Sequence, residues 1–588
     1  MRNVLKIPYL EPVELAVKQM TISEKFITLL LTVLLTVGAF GMLHNLDKYV
    51  SASVPAGGGS FAEAIVGTPR FVNPLLALTD SDRDIVMLTY AGLMRPTGSG
   101  MLVPDMAESY TISDSGEEYI FTLKEGLKFH DNKPVTVDDV IFTIETVQNP
   151  TLKSTKRADW DGIQIKKTGE REVTFILPRP YAPFLENTTI GILPKHLWEN
   201  VNVQEFSYSN LNTNPIGSGP YQIDNISYDK SGIPQSYQLK AFKSYSLGKP
   251  YIKDITLTFL SDKDELVTQW QSNSSQAISG IYLQDHTEEQ SSVNRITYPR
   301  IFAVFFNQDN AKIFASKHVR SALNKSIDKE LLIEEVMNGY ASVLTSAIPS
   351  GVLSNNNMQS VDRMSADERL EEANETLISG GWKFEAIKTG DSDEENEDEE
   401  EVELQKFWQK KDGQVLTFTL ATANTPELTH AAQILQNTWA ELGVDVKVDI
   451  FDVNDLNQNV IRARNYDALL FGEVVGRSLD LFAFWHSSQR DDPGLNIAMY
   501  ANSKMDGLLE KARAESDTHK REELHIKIAE IMESDIPAIF LYSPDFIYML
   551  PKHIKGADLQ LIATPSERFA SVHKWYVETD RVWNIFIK

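Results

Sequence analysis

Residues 104–145 read PDMAESYTISDSGEEYIFTLKEGLKFHDNKPVTVDDVIFTIE, and this stretch decides the fold class. Within it, YIFTLKEGLKF (119–129) alternates apolar and polar residues around Gly126, the pattern of a strand pair. VTVDDVIFTIETV (135–147) then changes period: Val137, Val140, Ile141 and Ile144 form one apolar stripe at helical spacing. Thr136 is placed to cap this helix, Asp138 and Asp139 suit its positive dipole end, and Asn149-Pro150 stops it. Strands handing over to an amphipathic helix are α/β to α+β material.

The same logic recurs downstream. FAVFF (302–306) reads as a short buried strand. HVRSALNKSI and KELLIEEVMNGYA read as two helices broken near Asp328, with Gly339 ending the second. Ala431, Ile434, Leu435, Thr438 and Leu442 share one helix face, Gly443 terminates that helix, and VDVKVDIF (444–451) alternates as a strand. Leu524, Ile528, Ile531 and Met532 mark a further helix. One segment fits no core: DSDEENEDEEEVE (391–403) carries ten acids and no base, so it self-repels and is predicted to be a disordered insertion in a surface loop.

Upstream, FITLLLTVLLTVGAFGML (26–43) is eighteen residues without a charge, at the short end of what spans a hydrocarbon core. Arg2, Lys6, Lys18 and Lys25 precede it, whereas the following stretch carries Lys48 offset by Asp47. The positive-inside rule therefore places residues 1–25 in the cytoplasm and everything beyond the span outside. The alternative is a cleaved signal, with Ala56 as the small residue before the cut. SASVPAGGGS (51–60) reads as a flexible linker by composition. The chain has no cysteine, which excludes a lipoprotein anchor, disulfides and thiolate chemistry. Its net charge of −26 argues against a nucleic-acid partner.

A search for catalytic chemistry comes up empty. There is no HExxH zinc helix and no GxxxxGK[ST] phosphate loop. Ser218 in PIGSGPY has its glycines adjacent rather than two residues away, which is wrong for a nucleophile elbow. His130 in KFHDNKP reads as a polar turn histidine. No catalytic residue, metal ligand or cofactor site is predicted.

Taken in order, GTPRFVNPLLALTDSDRDIVMLTYAGLMR (67–95), the 104–145 block, GSGPY (217–221), FFNQDNAKIFASKHVRSALNKSIDKELLIEEVMNGYA (305–341), YDALLFGEV (466–474), FWHSSQ (484–489) and ESDIPAIFLYSP (533–544) resemble the bacterial extracellular solute-binding proteins, family 5. These are the peptide- and nickel-type binding proteins of ABC transporters. The resemblance covers essentially residues 60–588.

It implies a two-lobed, periplasmic-binding-protein-like type II fold with an extra third domain, here preceded by one transmembrane helix. The implied division is 1–25 cytoplasmic, 26–43 anchor, 44–60 linker, 61–90 lobe I, 91–212 the extra domain II, 213–300 lobe I resumed, 301–545 lobe III with the acidic insertion at 390–403, and 546–588 lobe I again. The implied function is delivery of oligopeptides, or a similar small solute, to ABC permease subunits by cleft closure, as a monomer tethered in the cytoplasmic membrane. A sensory protein on the same scaffold without a transporter is the alternative, and a cell-envelope hydrolase a weaker one.

The implied cleft draws on Asn73, Tyr90, Asn307, Glu473, Asp480 and Trp485. In many peptide-binding relatives a tryptophan and then an aspartate follow the segment matching YDALLFG, and the aspartate captures the ligand's amine. Here Glu473 stands at the tryptophan's place and Gly476 near the aspartate's, so Glu473 or Asp480 is the substitute expected for that role.

Overall fold

The computed structural model describes residues 16–17, 19–272, 277–282, 291–349, 351–353, 364–387, 405–410 and 413–583. The acidic run 391–403 lies outside the described residues. The chain divides into two compact units, residues 1–59 with 576–588, and residues 60–575.

In the first unit one helix runs Ile22–Val50, and its apolar span Ile22–Met42 has none of its surface buried. Thr28, Thr32 and Thr36 lie inside the span, and their hydroxyls donate to the carbonyls four residues back at 2.6–2.8 Å. Each hydroxyl hydrogen is thus satisfied within the helix itself. The small-residue stretch after it is not a flexible linker. The helix continues to Val50, and Ser51–Ala56 is a strand paired antiparallel with Glu578–Trp583, Ser51 opposite Trp583 and Ala56 opposite Glu578. Composition suggested freedom, but a β partner more than five hundred residues away supplies the ladder hydrogen bonds that order it.

The second unit contains three main sheets. The first has the order Ser60–Val66, Asp254–Leu260, Pro234–Ala241, Tyr221–Tyr228, with the first pair parallel and the others antiparallel. The helix Asp80–Thr89 belongs to this lobe; Thr79 and Asp82 close its N-terminus as a reciprocal capping box. The second sheet is antiparallel, ordered Ala107–Ile112, Glu118–Leu123, Glu172–Ile176, Gln164–Lys167. Only the first half of the 119–129 strand pair forms as a strand. Glu118–Leu123 pairs backwards with Ala107–Ile112, and the chain turns through Gly126, whose φ is 71°. The helix that follows, Val137–Gln148, starts where its pattern places it: the Asp139 carboxylate accepts from both N and Oγ1 of Thr136, at 2.8 and 2.7 Å.

The third sheet is the largest, with eight strands. Its main path is Ile278–Ser279, Ala538–Pro551, Arg300–Phe306, Ala468–Val474, Thr417–Ala423, Asp445–Phe451, and Ser291–Thr297 and Ala341–Val343 also pair with Ala538–Pro551. The last two strands of the path are parallel and joined by the helix Pro426–Glu441, a βαβ unit. That helix buries Leu428, Ala431, Ala432, Leu435 and Trp439, and Gly443 follows it at φ 83°. Asp328 caps the helix Lys329–Met337 by accepting from the Leu331 amide at 2.9 Å.

The first lobe is assembled from distant segments by buried charge. Arg568 donates to Glu63 Oε1 at 2.8 Å and to both oxygens of Asp84 at 2.7 and 2.6 Å. The Tyr548 hydroxyl donates to Glu63 Oε2 at 2.7 Å. All four residues are at most 1 % exposed. Charges this deep are tolerated only when paired and fully hydrogen-bonded, so the cluster pins the C-terminal segment to the N-terminal strand and helix.

Candidate functional site

The site begins with the parity of one strand. In Arg300–Phe306, Arg300 and Phe302 share a face, opposite Val474 and Gly472 of the neighbouring strand. Phe302 lies flat against Tyr542 on the other neighbour, ring centroids 5.0 Å apart at 15°. A Cβ on Gly472 would stand 2.7 Å from the Phe302 ring, so glycine is what lets this ring lie over the sheet.

This face walls two cavities of about 450 and 500 Å³, a size suited to small ligands. Tyr298, Arg300 and Pro565 line both. The larger is otherwise apolar and aromatic on one side, with Tyr282, Phe302, Tyr542 and Phe546, and carries Asp84 and Arg568 on the other. The smaller runs past Tyr90, Trp160 and Ile190 to Glu186 and Glu567. The cavities therefore lie where residues of the first sheet's lobe, of the core around the second sheet and of the large sheet meet.

One polar cluster lies beside the smaller cavity and a second beside a separate small pocket lined by Asp480 and Arg513. Arg477 donates to Glu186 at 3.3 Å and also to Glu567, linking three separate chain regions. Burial pushes the Glu186 carboxyl up to about 7, against the pull of Arg477. Asp480 accepts from the Tyr181 hydroxyl at 3.2 Å and pairs with Arg513 at 3.0 Å, while the Arg513 guanidinium stacks over the rings of Tyr181 and Phe482. Asp480 is thus occupied by protein partners.

The other residues singled out from the sequence sit as follows. Tyr90 lines the smaller cavity, with its hydroxyl buried and without a hydrogen-bond partner. Asn73 is fully buried, donates to the Asn212 side chain at 3.2 Å and accepts from the Leu75 amide at 3.0 Å. Asn307 donates to the Arg464 carbonyl at 2.9 Å and accepts from the amides of Asp309 and Asn310. Trp485 is 1 % exposed and packs against Phe305 and Phe540. Glu473 is opposite Ile301 on the face turned away from Phe302, so it enters the interior of the large-sheet lobe. Burial holds its carboxyl well above the usual range, Arg464 opposes this only in part, and one oxygen has no partner.

His130 and the GSGPY glycines also have defined jobs. The Gly217 amide donates to His130 Nδ1 at 3.3 Å, and Nε2 lies 3.1 Å from the Gly219 carbonyl. This pair of contacts requires the neutral ring, protonated at Nε2. Tight-turn geometry does not explain the glycines, since neither is among the positive-φ residues. A Cβ on Gly217 would lie 2.1 Å from the Thr89 carbonyl oxygen, and one on Gly219 2.6 Å from that of Leu88. Close backbone approach beneath Tyr90 is what demands them.

Sequence reasoning passed over Arg300, Phe302, Tyr542 and Arg568. The available signal was Arg300 itself, a lone charge opening the otherwise apolar strand RIFAVFF.

Residues 101–493 match the model of the middle region of the bacterial extracellular solute-binding proteins, family 5. The chain belongs to this family. It is 26% identical to the oligopeptide-binding protein AppA of Bacillus subtilis over 560 residues, covering 94% of this chain and 97% of that one. The structure of that AppA in complex with a nonapeptide superposes with a TM-score of 0.65 at 24% identity, covering 89% of this chain and 100% of that one. The structure of NikZ from Campylobacter jejuni in complex with Ni(L-His) gives 0.64 at 25% identity, covering 88% and 99%. The fold of this family-5 protein is therefore the two-lobed periplasmic-binding-protein fold, and the chain is an extracytoplasmic solute-binding protein rather than an enzyme.

Proposed function

We propose that this protein captures oligopeptides outside the cytoplasmic membrane, held there by the helix Ile22–Val50, and hands them to the permease of an ABC importer. The observation that carries the peptide reading is the pair of cavities, about 450 and 500 Å³, that share Tyr298, Arg300 and Pro565 and are lined by aromatic rings interspersed with charged side chains of both signs. Such walls accept varied side chains, while the backbone supplies the common recognition element. The relation to the Bacillus subtilis oligopeptide-binding protein supports the same choice. The tether raises the local concentration of loaded protein near the permease.

Native mass spectrometry of the detergent-solubilised full chain, purified from cells, tests the ligand. A ladder of short peptides co-purifying with the protein is the expected result. One homogeneous non-peptide mass would overturn the peptide assignment. Carbonate extraction followed by N-terminal sequencing tests the tether: the protein should stay in the membrane fraction with residues 22–42 present.

A further inference from the structure

Four arginines line the two cavities: Arg83, Arg95, Arg300 and Arg568. Three are spoken for. Arg83 pairs with Asp80 at 3.2 Å. Arg95 pairs with Asp105 at 3.5 Å and donates to the carbonyls of Ala570, Met87 and Phe569. Arg568 is held by Glu63 and Asp84. Arg300 differs. Its guanidinium sits 4.3 Å from the Tyr298 ring centroid, and its Nε is buried without an acceptor. Among the described residues no carboxylate pairs with it.

Its position is as distinctive as its lack of a partner. Arg300 and Tyr298 are common to both cavities, so the guanidinium stands at their junction. The Tyr298 ring attracts the cation through its π face without using any of its N–H donors. Register fixes the other end of the side chain, since Arg300 is locked opposite Val474 in the sheet. A guanidinium orientated in this way, half-removed from water and short of an acceptor, matches a carboxylate, whose two oxygens meet the fork bidentately. Glu427 lines the larger cavity too but forms no ion pair with Arg300, so it does not fill the role from within.

We propose that Arg300 is a carboxylate anchor of the ligand cleft, selecting solutes that carry a carboxylate at the point where the two cavities meet. For a peptide, that carboxylate is either the C-terminus or an Asp or Glu side chain. The proposal rests on the binding-protein reading given above and specifies which solutes the cleft retains.

The test uses the detergent-solubilised full chain and native mass spectrometry with three randomised tetrapeptide libraries: free acid without Asp or Glu, the same library C-terminally amidated, and amidated peptides containing one Glu. Wild type should retain the free-acid library at least about tenfold better than the plain amide. Recovery of binding by the Glu-containing amide assigns the side chain as an alternative source; no recovery assigns the C-terminus. Arg300→Gln should erase the acid preference, and Arg300→Lys should keep part of it. A thermal melt of each variant checks that the fold is retained. Equal retention of acid and plain amide by wild type, or an unchanged preference in Arg300→Gln, overturns the anchor. Failure of wild type to retain any library overturns the peptide reading instead. The anchor is then judged with glutarate against its diamide, where retention of glutarate that Arg300→Gln loses supports it and any other result rejects it.

Discussion

Arg568 and Arg300 wall the same cavity from opposite sides, and their surroundings are opposites. The wall holding Arg568 meets its cation from within the protein: Glu63 and Asp84 both accept from the guanidinium, and the Tyr548 hydroxyl donates to Glu63. The wall holding Arg300 leaves a guanidinium with an aromatic shelf and, among the described residues, no counter-ion. Charge that is compensated internally holds distant chain segments together. Charge that is left open faces the space a ligand enters. His130 shows a third arrangement, in which a buried titratable group is accommodated by remaining neutral.

The largest effect is expected at the compensated cluster. Arg568→Met leaves Glu63 and Asp84 buried without their cation and should lower stability by about 3–5 kcal/mol in thermal or denaturant unfolding. Adding Glu63→Gln and Asp84→Asn should restore much of the loss, because the uncompensated negative charge is then gone. A loss below about 1 kcal/mol for Arg568→Met would break the contrast between the two walls.

The neutral histidine predicts a pH dependence of opposite character. Burial holds His130 down to about 4, below its ordinary 6.5. The unfolded chain therefore binds the proton first as pH falls. The stability contributed by the neutral ring is fully present above pH 6.5 and is lost as pH falls through the window to about 4. His130→Asn should accordingly be most destabilising, by up to a few kcal/mol, at pH 7.5, and should match wild type near pH 4. Melting curves of both proteins across that range decide it; a constant difference would mean that the ring's charge state is irrelevant.

Arg477→Ala addresses the meeting of the three regions. It leaves Glu186 and Glu567 facing one another, and should weaken ligand retention about tenfold while costing less stability than Arg568→Met. Equal loss of stability in both variants would place Arg477 with the internal cluster instead. The smallest effect is expected at Glu473→Gln. Its carboxyl is already driven towards the neutral form by burial and points away from the cleft, so retention of free-amine and N-acetylated peptides should each change less than about twofold. Selective loss of the free-amine peptides would show that Glu473 reaches the ligand after all.

The helix Val137–Gln148, and the helix Pro426–Glu441 with the strand Asp445–Phe451 after it, were legible in the sequence, because each keeps one face in the core and so keeps its period. The face of Glu473 was not. Ala468–Val474 is a central strand with Arg300–Phe306 on one side and Thr417–Ala423 on the other, and near-continuous apolar residues cover both of its faces. Alternation disappears in such a strand, and with it the sign of which residues look into the cleft. The same loss concealed Phe302 and Tyr542 as cleft residues.

By itself the sequence determined the apolar span near the N-terminus, the αβ alternation and the absence of thiol chemistry, since these depend on composition and on local periodicity. The tertiary structure decided the pairing of Ser51–Ala56 with Glu578–Trp583, the assembly of the first lobe around Arg568, and the division of buried charge into satisfied and open. Those depend on which distant groups meet. A hydrogen bond or ion pair is set by a few ångströms in space, and separation along the chain carries no record of it.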